Sequence, residues 1–319
     1  MFELKTVMVP IDFSDASREA VRYGVSLAVE CDAGLVLAHV VPFLAPVAYA
    51  YPFESGENKP GIVEEIHEKM AAFIPPDLAN AVKHRFAVSS GDVRDELLAM
   101  AAVHTPDVIV MGTHGRRLFE RWLLGSVTDH LLRHSPIPLL TVSRLDAEHD
   151  ISEPQPIPLN RILYATDLAE GSERALGMAH SLAHRFSADL KVVHVMSTPH
   201  PTFGIEAVPL ESAGGPASVR ECLVAQLEAS VPENIKADPR VDTELLEGVP
   251  YEQILRTAED GHYDLIVLNT RRRGALERAL LGSTAERVVR GAPIPVLSVP
   301  PEGAAFQVRT ESGGGGVLI

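Results

Sequence analysis

Val108 to Val127 reads VIVMGTHGRRLFERWLLGSV, and the spacing of its parts decides the fold. Val108 to Met111 are four apolar residues, short and rich in β-branched side chains, the pattern of a buried parallel strand. Gly112 and Gly115 frame a turn in which the backbone is free to take positive φ and to lie close to a ligand. Gly125 and Ser126 then stand directly before a helical pattern in which Val127, Leu131 and Leu132 share a face. Strand, glycine turn and glycine–serine pair together make a phosphate cradle in α/β proteins. The N–H groups of the turn and of the first helical residues lack backbone partners, and the helix dipole favours an anion there. No Lys follows the glycines, so the GxxxxGK[S/T] loop of common NTPases is excluded.

Working outward, Thr6 to Ile11 (TVMVPI) reads as a central strand, with Asp12 at its carboxyl end. Ser14 is a candidate N-cap for a helix from about Ala16 to Cys31, on which Ala20, Val21, Leu27 and Ala28 recur at helical spacing. Leu35 to Val41 reads as a second buried strand. Pro42 to Pro60 is proline-bearing and carries Phe43, Tyr49, Tyr51 and Phe53, and reads as a loop or lid. A helix over about Gly61–Ile74, a strand near His84–Val88 and a helix over Val93–His104 lead to a strand at Asp107–Met111. A last strand, Ile137–Val142, follows a helix ended by Pro136. This alternation predicts an open, doubly wound parallel sheet, whose ligand crevice lies at the carboxyl ends of the strands. Asp12, Val40 and Gly112 all fall at such ends.

The chain then repeats itself. Leu145 to Pro158 is polar and reads as a linker, and Asn160–Leu168 (NRILYATDL) matches Lys5–Phe13, with Asp167 on Asp12 at an offset of 155. Asp264–Leu268 matches Asp107–Met111, Gly282-Ser283 falls on Gly125-Ser126, and Pro293–Val299 repeats Pro136–Val142. A repeat of this length is a duplication of whole domains. The expected organisation is a first domain over residues 1–145, a linker over 146–158, a second domain over 159–300 and a disordered tail over 301–319.

The pattern G-x2-G-x9-G-[S/T] of Gly112, Gly115, Gly125 and Ser126 resembles the nucleotide-binding signature of the universal stress protein family, in its ATP-binding branch. The resemblance covers nearly the whole chain as a tandem pair. It implies two α/β domains, each a five-stranded doubly wound parallel sheet of the kind shared with adenine nucleotide α-hydrolases. It also implies pairing of the domains about a pseudo-twofold axis through Ile137–Val142 and Ile294–Val299, with a further homodimer allowed. Carried over by position, Asp12 lies by ribose and adenine, the Val40 backbone meets the adenine edge, and Pro10 packs nearby. Met111, Gly112, His114 and Gly115 approach ribose and phosphates, and Gly125, Ser126, Val127 and Thr128 hold the phosphates. The implied ligand is ATP with accompanying Mg2+. Arg116 and Arg117 are placed to screen phosphate charge. In the second half Asn269 replaces Gly112, Arg272 replaces Gly115 and Ala165 replaces Pro10, so ATP is not expected there in the usual way. That half is expected to pair with the first, or to hold another ligand in its Ser197–Pro216 loop.

Composition narrows the function classes. A formal net charge of −15 disfavours nucleic acid and anionic membranes as partners, and no apolar run approaches the length of a membrane helix. The N-terminus carries charge early and enters a strand at once, so no secretory signal is expected and the cytoplasm is the default compartment. Cys31 and Cys222 sit in helical patterns and are expected to be buried, reduced thiols. His130 and His134 have the spacing of a metal pair, but 13 histidines make chance pairs common, and no metal site is assigned. No nucleophile–base constellation stands out, so at most a weak ATPase is expected. The function expected from sequence is a stress-response protein with ATP as a regulatory ligand, read by an unknown protein partner. The alternatives are a slow ATPase and, from the aromatic loop, a carrier of an apolar or lipid-like molecule.

Overall fold

The computed structural model describes residues 2–42, 62–74, 76–112, 124–142, 157, 159–169, 171–197, 215–270 and 282–302. These fall into two compact units, one within Leu4–Ile157 and one within Met1–Glu3 and Pro158–Glu302.

The first unit runs β1 (Thr6–Pro10), α1 (Asp15–Cys31), β2 (Gly34–Pro42), α2 (Ile62–Phe73), α3 (Pro76–Ala81), β3 (His84–Gly91), α4 (Val93–His104), β4 (Val108–Gly112), α5 (Ser126–His134) and β5 (Leu139–Val142). Its sheet has the order β3-β2-β1-β4-β5 with every pairing parallel. Val7, Met8 and Val9 in β1 and Ile109 and Val110 in β4 are wholly buried, as strands covered on both faces must be. The chain builds outward from β1 to β3 and then returns with β4 on the other side of β1. That reversal opens a crevice beyond the ends of β1 and β4.

The second unit repeats this scheme as β6 (Arg161–Ala165), α6 (Glu173–Phe186), β7 (Asp189–Met196), α7 (Gly215–Ser230), α8 (Glu233–Lys236), β8 (Val241–Glu247), α9 (Pro250–Asp260), β9 (Leu265–Asn269), α10 (Ser283–Gly291) and β10 (Val296–Val299). Its strand order is β8-β7-β6-β9-β10, again parallel throughout.

A carboxylate pins the start of the central strand in each unit. Asp107 Oδ2 accepts from Lys5 N and Thr6 N at 2.7 and 2.8 Å, and Asp264 Oδ2 accepts from Asn160 N and Arg161 N at 2.7 and 3.0 Å. The cysteines differ from expectation. Neither forms a disulfide among the described residues, but Cys222 is exposed on α7 and Cys31 is half-buried in the last turn of α1. Helical spacing places a residue on a face, and at both positions that face is not covered.

Candidate nucleotide site

In the first unit β1 ends at Pro10, and Phe13 takes the left-handed conformation at φ 62°, turning the chain away from the sheet. Asp12 is exposed between them; its Oδ1 accepts from Ser14 N at 3.0 Å and from Ser14 Oγ at 2.5 Å. Ser14, not Asp12, caps α1, accepting from Ser17 N at 3.2 Å. Asp12 therefore orients the cap, and among the described residues its Oδ2 has no partner.

The role of Gly112 differs from the sequence expectation. It is the last residue of β4, outside the left-handed region, so conformational freedom is not why glycine stands there. A Cβ at this position would lie 2.6 Å from the Ala16 carbonyl oxygen and 2.7 Å from Ala16 Cβ. The glycine lets the first turn of α1 sit against the end of β4.

Gly125 is the N-cap of α5, with no side-chain cap hydrogen bond, and Ser126 is exposed as the first helical residue. The Ser126 side chain follows the cap position and does not itself cap the helix. Among the described residues no side chain accepts from the leading N–H groups of α5, which stand at the positive end of the helix dipole. Thr128 is buried, and its Oγ1 donates to the Gly112 carbonyl at 3.3 Å, tying the helix start to the end of β4. It acts as a brace beneath the cradle. Met111 and Val40 are buried, and Pro10 and Val127 are half-buried. His114, Gly115, Arg116 and Arg117 lie outside the described residues, as do Phe43, Tyr49, Tyr51 and Phe53. His130 and His134 stack with ring centroids 4.1 Å apart, and His134 Nδ1 is engaged by the His130 carbonyl at 2.8 Å. Among the described residues no three His, Cys, Asp or Glu side chains group as metal ligands.

Val40 owes its position to a feature the sequence did not disclose. Even-numbered residues of β2 face β1: Gly34 N donates to Lys5 O at 2.8 Å, and Ile11 N to Ala38 O at 2.7 Å. The next donor in that row is Val40 N, and its partner in a continued ladder is the Ile11 carbonyl. That carbonyl instead accepts from His39 Nδ1 at 2.7 Å. Among the described residues Val40 N has no partner on the β1 side, while β2 stays paired with β3 as far as Pro42 and Gly91.

The second unit has a cavity of about 460 Å³ at the same edge, lined among others by Asp167, His194, Val195, Asn269, Gly282 and Ser283. Asn269 Nδ2 donates to Asp167 Oδ1 at 2.7 Å, and Ala169 N donates to the same oxygen at 3.1 Å. By sequence offset Asn269 stands where the first unit has Gly112 and Gly171 where it has Ala16, and α6 begins later than α1, at Glu173. Gly282 caps α10 with φ −58°, and among the described residues nothing lies within 4 Å of a Cβ built on it. Neither backbone conformation nor packing calls for glycine there; a side chain would enter the cavity. Arg271 to Arg273 lie outside the described residues.

The sequence model of the universal stress protein family matches residues 3–143 and again residues 158–300. The chain belongs to this family. A universal stress protein of Mycolicibacterium smegmatis is 27% identical over 310 residues, covering 92% of this chain and 97% of its own length. One from Methanocaldococcus jannaschii is 34% identical over 143 residues, which is 44% of this chain and 81% of the relative. Among solved structures, a universal stress protein from Archaeoglobus fulgidus superposes with TM-score 0.61 at 21% identity, covering 94% of this chain and 97% of that one. At that identity the superposition speaks for the fold. This universal stress protein is thus a tandem one, and among its described residues no helix is long and apolar enough to cross a membrane.

Proposed function

We propose that this universal stress protein is a cytoplasmic stress-response protein whose first unit binds ATP as a regulatory ligand. The start of α5 carries the reading. A nine-residue helix presents its N-terminus at the sheet's carboxyl edge, with no side chain of the described residues on its leading donors, and is braced to β4 through Thr128. Magnesium in this reading accompanies the phosphates, its usual manner of binding. Adenine is read by the open edge of Val40 and apolar walls, and Asp12 Oδ2 is placed for a ribose hydroxyl. Binding changes the surface at this edge, and a protein partner reads the change.

The second unit favours a different ligand. Asn269 already occupies the carboxylate of Asp167, while the cavity beside it remains. Titration calorimetry of MgATP into nucleotide-stripped protein tests both statements. One site per chain is expected, lost in a Gly115→Arg variant that copies Arg272. Absence of saturable binding would end the nucleotide reading, and two equivalent sites would end the assignment of the second unit. Steady-state phosphate release in the same samples, with Asp12→Ala alongside, measures the slow-ATPase alternative.

A further inference from the structure

Each unit ends the pairing of its central strand in the same way. In the second unit odd-numbered residues of β7 face β6: Asp189 N donates to Asn160 O at 2.8 Å and Thr166 N to Val193 O at 2.9 Å. The next donor in the row is Val195 N, and its natural partner is the Thr166 carbonyl. His194 Nδ1 takes that carbonyl at 2.9 Å, as His39 takes that of Ile11 at 2.7 Å. A carbonyl only accepts, so Nδ1 carries the proton in both imidazoles. Leu168, like Phe13, is left-handed, at φ 57° against 62°, and steers the chain off the sheet one residue after the aspartate. In the first unit the Phe13 ring lies 4.8 Å from the His39 ring and holds it in place.

We infer that His39 and His194 are positioning residues that terminate the ladder and keep the strand-end peptide at Val40 and Val195 open for a ligand. A backbone N–H left buried without an acceptor carries an unrecovered desolvation cost. A strand end fixed on one side by β3 or β8 and stripped of its partner on the other is therefore primed for an outside acceptor. Val195 is among the residues lining the cavity, so the strand end borders space that a ligand can occupy. An imidazole buried merely for packing has no need to take the one carbonyl that would close the ladder. Here it does so in both copies, although the residues supplying the carbonyl, Ile11 and Thr166, differ. The ligand part of this inference rests on the nucleotide reading of the first unit; the imidazole cap does not.

Amide hydrogen exchange by NMR on the full, ligand-free chain tests the cap without any variant. Val36, Ala38 and Val193 should be strongly protected, and Val40 and Val195 should exchange faster by about tenfold or more, as expected for the loss of one hydrogen bond. In His39→Leu the Ile11 carbonyl is released, so Val40 should gain protection and MgATP affinity should fall by about tenfold. His39→Asn restores a donor near the Nδ1 position, and both quantities should return toward those of the unmodified chain. Val40 and Val195 protected like Ala38 in the unmodified chain would overturn the inference. So would a folded His39→Leu chain whose Val40 exchange does not change. If the unmodified chain binds no nucleotide but Val40 still gains protection in His39→Leu, the cap stands and the ligand reading falls.

Discussion

At the scale of single residues, Gly112 shows how a motif glycine can be required by packing before any ligand arrives. A methyl group there meets the backbone of α1 at 2.6 Å, and backbone cannot rotate aside as a side chain can. Gly112→Ala should therefore destabilise the first unit by about 1–3 kcal/mol, the usual cost of overpacking. The second unit differs at both corresponding positions, with Gly171 where the first has Ala16 and Asn269 where it has Gly112. Combining Gly112→Ala with Ala16→Gly should recover part of the loss, because the two substitutions share one contact and do not add. Urea unfolding of the four proteins of this cycle gives the coupling directly, and strict additivity would show that the clash is relieved elsewhere. The sequence offered glycine and left its reason open, since conformational freedom, close packing and ligand approach all call for the same residue. Thr128 was ambiguous in the same way, and only its bond to the Gly112 carbonyl shows it to be a brace.

At the scale of elements, the strands were legible because burial on both faces writes continuous apolar runs into β1, β4, β6 and β9. The edges were less so. The strand expected from Ile137 begins at Leu139: Pro138 faces β4 but has no N–H to donate, and just before it Ser135 Oγ accepts from Ile137 N at 3.0 Å and donates to Ile137 O at 3.1 Å. β3 runs on to Gly91, past the last apolar residue, since β2 offers it backbone partners that far. The short helix α3 carries too few residues to show a period and was missed. The two aspartates that pin the central strands were visible only as repeated letters. Asp107→Ala or Asp264→Ala should each cost about 1–3 kcal/mol, since each removes a charged acceptor shared by two backbone donors. Hydrogen exchange distinguishes this from a general loss of stability: Lys5 and Thr6 should lose protection in the first variant, and Asn160 and Arg161 in the second. Equal loosening throughout a unit would argue against a local staple.

At the scale of the whole molecule, two effects of acid oppose each other. The formal net charge is −15 at pH 7, so acidification reduces self-repulsion and favours the compact state. Against this, burial holds His104, His130 and His180 below the ordinary histidine range. Arg85 adds to the effect at His104, and His134 and Arg94 add to it at His130, whereas Asp238 partly offsets it at His180. His104 lies in the last turn of α4, where the helix dipole favours a cation, yet burial prevails; its Nε2 finds no hydrogen-bond partner among the described residues. With folded values below the unfolded value of about 6.5, the unfolded chain binds more protons as pH falls through that point. The stability these groups confer is therefore present above it and is lost progressively below it. Salt separates the two effects, because at about 1 M ionic strength surface repulsion is screened beyond roughly 3 Å while burial is untouched. In 1 M KCl the melting temperature should fall between pH 7 and pH 5, and the slope should flatten in a His104→Leu, His130→Gln variant. His104→Leu should also raise stability at neutral pH, since it removes a buried nitrogen without a partner. A melting temperature that rises on acidification in high salt would show that these histidines do not govern the acid response.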